Sequence, residues 1–148
     1  MGEAGSRKTT RAEVDAFAVA ASDLTGLALR SVDQAEVSLP QFRLLRALTE
    51  LGSATSTQAA QVLGVVGSTV TRLADRLHAS GHLARSADPA NRSVVVLEPT
   101  ERGRRVVREV TAHRRRELAR VLDRIDPAER AACAAVLTTL HELLTDAT

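Results

Sequence analysis

TSTQAAQVLGVVGSTVTRLADRLHASG, residues 55–81, carries two short helix signals separated by a tight turn. Thr55 followed by Gln58 is a capping box, in which each side chain takes up the other residue's free backbone amide. It predicts a helix through TQAAQVL that stops at Gly64. A second helix begins three residues later and runs over 68–77 and on to Ser80, with Gly81 as its C-terminal stop. Its apolar stripe is Val70, Leu73, Ala74 and Leu77, and its other face carries Ser68, Thr69, Thr71, Arg72, Asp75 and Arg76. This spacing fits a helix-turn-helix, and it also fits an ordinary helical hairpin in a bundle.

The residues downstream favour the first of these. His82–Ser86 reads as a short strand, Asp88-Pro89-Ala90-Asn91-Arg92-Ser93 as a turn, and Val94–Leu97 as a β-prone strand. Together they make a hairpin, the only clear β signal in the chain, and such a hairpin must lean on helices to be stable. A helix-turn-helix followed by a hairpin with Arg92 at its tip suits docking on duplex DNA, the second helix in a major groove and the hairpin against the backbone or a minor groove.

Upstream, Ser38-Leu39-Pro40-Gln41 is another capping box, with Pro40 in the first turn where its missing amide costs nothing. It opens a helix over 39–51 that buries Phe42, Leu44, Leu45 and Leu48 and ends at Gly52. Before it, Val14, Phe17, Ala21, Leu24, Ala28 and Val32 recur at helical spacing over 12–35. After the hairpin, Thr100 caps a long helix over 101–124, and Asp126-Pro127 breaks it and starts a last helix over 127–145. Residues 1–11 read as disordered. The predicted fold is mainly α with a small β-hairpin. A winged core at 38–102 is flanked by outer helices at 12–37 and 103–148.

The 148 residues suit one compact unit, and two Phe with no Tyr or Trp leave a core of Leu, Val and Ala. The lack of aromatic platforms argues against single-strand binding by base stacking. Nineteen of the 20 basic residues are Arg, and residues 72–124 hold 13 of them against 7 acidic residues. A basic middle between near-neutral ends is the footprint of a phosphate-backbone binder, though solvated Arg on helix surfaces gives the same count. Of the nine Arg in 101–124, most read as surface charges with buried stems, and a few near the start, such as Arg102 and Arg104, are candidates for contact with DNA flanks. No apolar run is long enough for a membrane span, and no signal sequence is read at the start, so a cytoplasmic location is expected. One cysteine excludes an intrachain disulfide and a thiolate zinc cluster. His78 and His82 are four apart, but Gly81 lies between them, and no metal or other cofactor is expected. The chain carries no Gly-rich phosphate loop, nucleophile elbow or His-Glu-x-x-His, so no enzyme is expected.

The element order, with LPQFRLLRAL, STVTRLADRLHASGHLARS and DPANRSVVVLEPTERG, resembles the MarR family over about residues 12–146. The resemblance implies a homodimer whose first and last two helices interlock as a dimerisation region. Each subunit would place the helix at 67–80 in a major groove of a palindromic operator in double-stranded DNA, with the wing at a minor groove. Carried over by position, Ser68, Thr69, Thr71, Arg72 and Arg76 face DNA; Arg92 sits one place from the family's wing Arg and is a candidate DNA contact from its place at the hairpin tip. The implied function is a transcriptional repressor released by a small lipophilic or phenolic effector. The alternative is a degenerate winged-helix dimer, without strong DNA binding, that serves in protein association or ligand binding.

The sequence departs from the family pattern in three ways. Val66 stands where a Ser, Thr or Asp usually caps the recognition helix. Asn91 and Ser93 replace the wing's Asp-x-Arg pair. Pro99 replaces the Leu before Thr100. The wing then has three options: Arg92 substitutes through a shifted loop, Asp88 pairs with Arg92, or the wing contributes little. Cys133 is expected to be a buried small hydrophobe rather than a redox sensor. An effector pocket is expected around Phe17, Phe42, Leu45 and Leu48.

Overall fold

Ser38 starts the first helix of the core by donating its backbone amide to Gln41 Oε1 at 2.8 Å. In the computed structural model, which describes residues 8–146, this helix spans Leu39–Leu51. It is α2 of six helices; α1 is Arg11–Arg30, α3 Ser56–Leu63, α4 Gly67–Ala79, α5 Glu101–Leu122 and α6 Pro127–Asp146. The three strands are β1 (Ala54–Thr55), β2 (Leu83–Ala87) and β3 (Val95–Pro99), in sheet order β1-β3-β2 with both pairings antiparallel.

Phe42, Leu44, Leu45 and Leu48 of α2 are at most 2% exposed and join Val70, Ala74 and Leu77 of α4, Leu83, Leu97, and Val106 and Val110 of α5 in one cluster. Each large aliphatic side chain buried there contributes about 1.5–3 kcal/mol. Gly103 admits the first turn of α5 to this core. A Cβ at that position would lie 2.2 Å from the His82 carbonyl oxygen.

Two expectations change. The first helix ends at Arg30 rather than 35. Beyond it the backbone bonds tighten to three-residue steps, Asp33 N to Arg30 O and Ala35 N to Val32 O, and Val32 and Val37 turn into the core at 4% and 7% exposure. Burial of those two valines overrides the helical periodicity. The hairpin gains a third strand, as Ala54 and Thr55 pair with Leu97 and Val96. Residues 1–7 lie outside the described residues, so the disorder expected over 1–11 is addressed only at its end, where Thr10 caps α1 through Glu13.

The chain divides into two compact units, Met1–Thr111 and Ala112–Thr148. The second consists of the later part of α5 and of α6, whose first turn is capped by Asp126 Oδ1 accepting from Ala128 N at 2.9 Å. No residue of α1 or α6 is buried, and Cys133 is exposed rather than enclosed. Among the described residues no helix is long and apolar enough to cross a membrane.

Candidate nucleic-acid interface

Gly64 makes the turn between α3 and α4. Its φ of 66° is left-handed, which a residue without Cβ adopts at no steric cost, and the next amide, Val65 N, reaches back to Ala60 O at 3.1 Å. Thr55 closes the other end of α3, accepting from Gln58 N at 3.2 Å while its own amide donates to Gln58 Oε1 at 2.9 Å. Arg43 of α2 adds a guanidinium donor to Leu63 O at 3.3 Å. The start of α4 is less well held, since its cap Val66 offers no side-chain acceptor and is 67% exposed.

Helical geometry puts Val70, Leu73, Ala74 and Leu77 toward the core and Ser68, Arg72 and Arg76 within about 80° of arc on the opposite face. Ser68, Arg72 and Arg76 are exposed, and Thr69 is half-buried at the edge of that face. Thr71 is exposed on the other flank, where its hydroxyl donates to Gly67 O at 3.1 Å. Among the described residues neither Arg72 nor Arg76 is drawn into an ion pair. Asp75 shares their face, and its charge is met by Arg85 of β2, Nη2 to Oδ1 at 2.5 Å. That pair ties the recognition helix to the wing.

The wing tip is built by short polar side chains. Asp88 Oδ1 accepts from Ala90 N at 2.8 Å and Asn91 Oδ1 from Ser93 N at 3.1 Å, while Val94 N closes onto Asn91 O at 2.9 Å. Asp88 thus serves its own turn and forms no pair with Arg92 among the described residues, and Arg92 is exposed at the tip. Pro99 is fully buried at the end of β3, and its carbonyl accepts from Arg104 Nη1 at 2.6 Å. Thr100 locks the strand to the end of α4. Its hydroxyl donates to Gly81 O at 2.7 Å and accepts from Gly103 N at 3.2 Å.

Arg102 and Arg104, candidates for DNA flanks, both turn back onto their own chain. Arg102 pairs with Glu36 through Nη2 and Nε and donates to Ser80 O through Nη1 at 3.2 Å. The guanidinium holds the Glu36 carboxyl below its usual range. Glu101 is lowered in the same way by Arg108, with Arg104 adding to the effect. His78 Nδ1 lies 2.9 Å from Leu83 O, and His82 is buried at 1% exposure, so the two rings serve different parts of the chain. Periodicity alone did not reveal the Asp75–Arg85 and Glu36–Arg102 pairs. Opposite charges flanking predicted elements were the only signal.

The expected effector pocket is misplaced. Phe42, Leu45 and Leu48 are core residues, and Phe17 is 47% exposed on α1. An open cavity of about 300 Å³ lies instead against the end of α1 and the start of α2, lined by Leu29, Val32, Asp33, Ala35, Val37, Ser38 and Leu39.

A recognition helix with free guanidinium groups, set on a three-helix core and followed by a sheet with an exposed loop, defines a DNA-binding protein of the winged helix-turn-helix class. A model of the MarR family matches residues 37–95. An uncharacterised HTH-type transcriptional regulator of Bacillus subtilis, YfiV, is 30% identical over 112 residues, covering 76% of this chain and 70% of YfiV. The crystal structure of Rv1404 from Mycobacterium tuberculosis superposes with a TM-score of 0.84 at 33% identity, covering 94% of this chain and 97% of that one. A MarR family protein from Bacillus stearothermophilus superposes with a TM-score of 0.83 at 27% identity, over 93% and 99%. The chain belongs to the MarR family: it is a transcriptional regulator and not an enzyme.

Proposed function

We infer that the chain works as a homodimer that reads a palindromic site in double-stranded DNA and represses transcription there. The observation that carries this reading is α4, whose outward face offers Ser68, Arg72 and Arg76 with both guanidinium groups uncommitted. Arg donates bidentately to guanine, which is worth about 1–3 kcal/mol per good pair against a wrong base. Ser68, Thr69 and Thr71 serve phosphates and the helix start, which position rather than specify. Arg92 supplies the wing contact from a tip held by its own turn.

The homodimer rests on the outer helices. The dimerisation region comprises residues 12–37 and 103–148, within which the apolar side chains of α1 and α6 are left unburied. Modulation by a small lipophilic or phenolic ligand rests on the cavity at Leu29–Leu39, whose volume falls at the lower limit for small-molecule sites.

The test is binding to duplexes from the gene's own upstream region at several salt concentrations, with the dimer followed by light scattering. Affinity should fall steeply with salt, each neutralised phosphate adding about −0.9 to the log–log slope. Replacing Arg72 and Arg76 together with Ala should abolish site preference. The uncapped Val66 and the Asn91 and Ser93 substitutions in the wing favour a second reading, a winged-helix dimer used for protein association or ligand binding. An Arg72→Ala, Arg76→Ala variant indistinguishable from wild type across a promoter screen would favour that second reading.

A further inference from the structure

His82 follows the glycine at which the recognition helix ends, and its side chain is enclosed. Nδ1 lies 2.8 Å from Ser80 Oγ, and Nε2 is buried without a hydrogen-bond partner. The nearest charge to Nε2 is Glu36 Oε2 at 3.4 Å, close enough to attract but outside hydrogen-bond geometry. A buried nitrogen left in this way costs free energy, so the ring is sensitive to where Glu36 sits. The backbone around the ring is fixed: His82 N donates to Leu77 O at 2.8 Å, and His82 O accepts from Thr100 N at 3.1 Å and abuts Gly103.

Glu36 reaches the end of α4 by two routes. One runs through Arg102, which bonds Glu36 and donates to Ser80 O; the other runs through His82 to Ser80 Oγ. The groups facing the ring are therefore Glu36 from the segment before α2 and Ser80 from the end of α4, with Arg102 of α5 held against the same Glu36 carboxylate. Glu36 also lies between Ala35 and Val37, both of which line the cavity. The wall of the cavity and the end of the recognition helix thus share one carboxylate.

We propose that Glu36 is a positioning residue for DNA recognition, tying the cavity wall through Arg102 and His82 to the C-terminal end of α4. Filling the cavity shifts that wall, moves Glu36 relative to Arg102 and His82, and re-aims the helix that carries Arg72 and Arg76. The inference rests on the reading that α4 enters DNA and adds the route by which its aim is set.

Ala35→Phe serves as a built-in probe that fills the cavity from its own wall. Anisotropy titration of the intact dimer with its selected duplex should show Ala35→Phe weakening affinity at least about fivefold, the lower range of measured couplings. In a Glu36→Gln background the same change should have a smaller effect. Effects that multiply independently would overturn the tie. Should Ala35→Phe fail to fold, Glu36→Gln alone decides. It should speed amide exchange at Ser80, Gly81 and His82 and shift the ring resonances of His82 by NMR, because the carboxylate beside the ring is gone. Unchanged exchange and ring resonances would overturn the proposal. A wild-type protein that binds no duplex would defeat the DNA reading instead, and the exchange and ring-resonance measurements would still judge the tie.

Discussion

The chain's two phenylalanines show how differently its parts treat the same sequence signal. Phe42 in α2 is 2% exposed, while Phe17 in α1 is 47% exposed. Both sit on stripes of apolar residues three and four apart. In α2 the stripe meets α3, α4 and β3 of the same chain. In α1 the stripe of Val14, Phe17 and Leu24 stays open, as do Val136, Leu137, Leu143 and Leu144 of α6. Periodicity says that a face will be covered but not by what. Where the chain supplies the cover, the result is a core. Where it does not, a second copy is the occupant we infer.

The contrast can be broken by truncating each ring. Phe42→Ala should cost about 3–5 kcal/mol, the usual loss for a buried aromatic. That loss should appear as a lowered melting temperature even in protein held dimeric at high concentration. Phe17→Ala should cost about 2 kcal/mol or more if it anchors an interface. Its effect should depend on protein concentration, because a dimer's stability is inseparable from that of its protomers. Calorimetry across a hundredfold dilution separates the two. A Phe17→Ala deficit that does not change with dilution would show that the outer stripe is covered in some other way.

The same contrast marks what could be read from sequence. The helix starts at Ser38 and Thr55, the stops at Gly52, Gly64 and Gly81, and the hairpin were legible because caps and turns are chemistry between residues a few positions apart. The outward face of α4 was legible for the same reason. The early end of α1 was not, because Val32 and Val37 turn inward to meet side chains far along the chain. The strand at Ala54–Thr55 is too short to show alternation. The tie between Glu36 and Arg102 spans 66 positions, so no local pattern reports it. The buried setting expected for Cys133 failed because α6 has no cover within its own chain.

Within the core, the start of α4 is held least well, and a cap should improve it. Val66 has extended backbone angles, φ −76° and ψ 148°, with no side-chain acceptor. Val66→Ser should add about 1 kcal/mol and raise the melting temperature by about 2–4 °C. Little packing is sacrificed, since Val66 is 67% exposed. A lowered melting temperature would show that the valine packs against a partner outside this chain, which would move the site into the class of the outer helices.

The smallest effect is expected at the Asp75–Arg85 pair, where the core meets solvent. The two side chains are 56% and 32% exposed, and pairs this open contribute under about 1 kcal/mol. Stability should therefore barely change in Arg85→Ala, and the informative measurement is the salt dependence of DNA affinity. Arg85 could act in two ways, by touching a phosphate itself or by holding the wing against α4. If the guanidinium neutralises a phosphate, Arg85→Ala should reduce the log–log slope by about 0.9. The structure favours the second role, because the guanidinium already faces Asp75 at 2.5 Å and would have to leave it to reach a phosphate. The expected result is weaker binding with the slope unchanged, and Asp75→Asn should behave alike except that removing a negative charge from the DNA-facing surface offsets part of the loss. A slope that falls in Arg85→Ala but not in Asp75→Asn would mean that Arg85 touches DNA rather than bracing the wing, and the wing would then reach DNA through its strand as well as through Arg92.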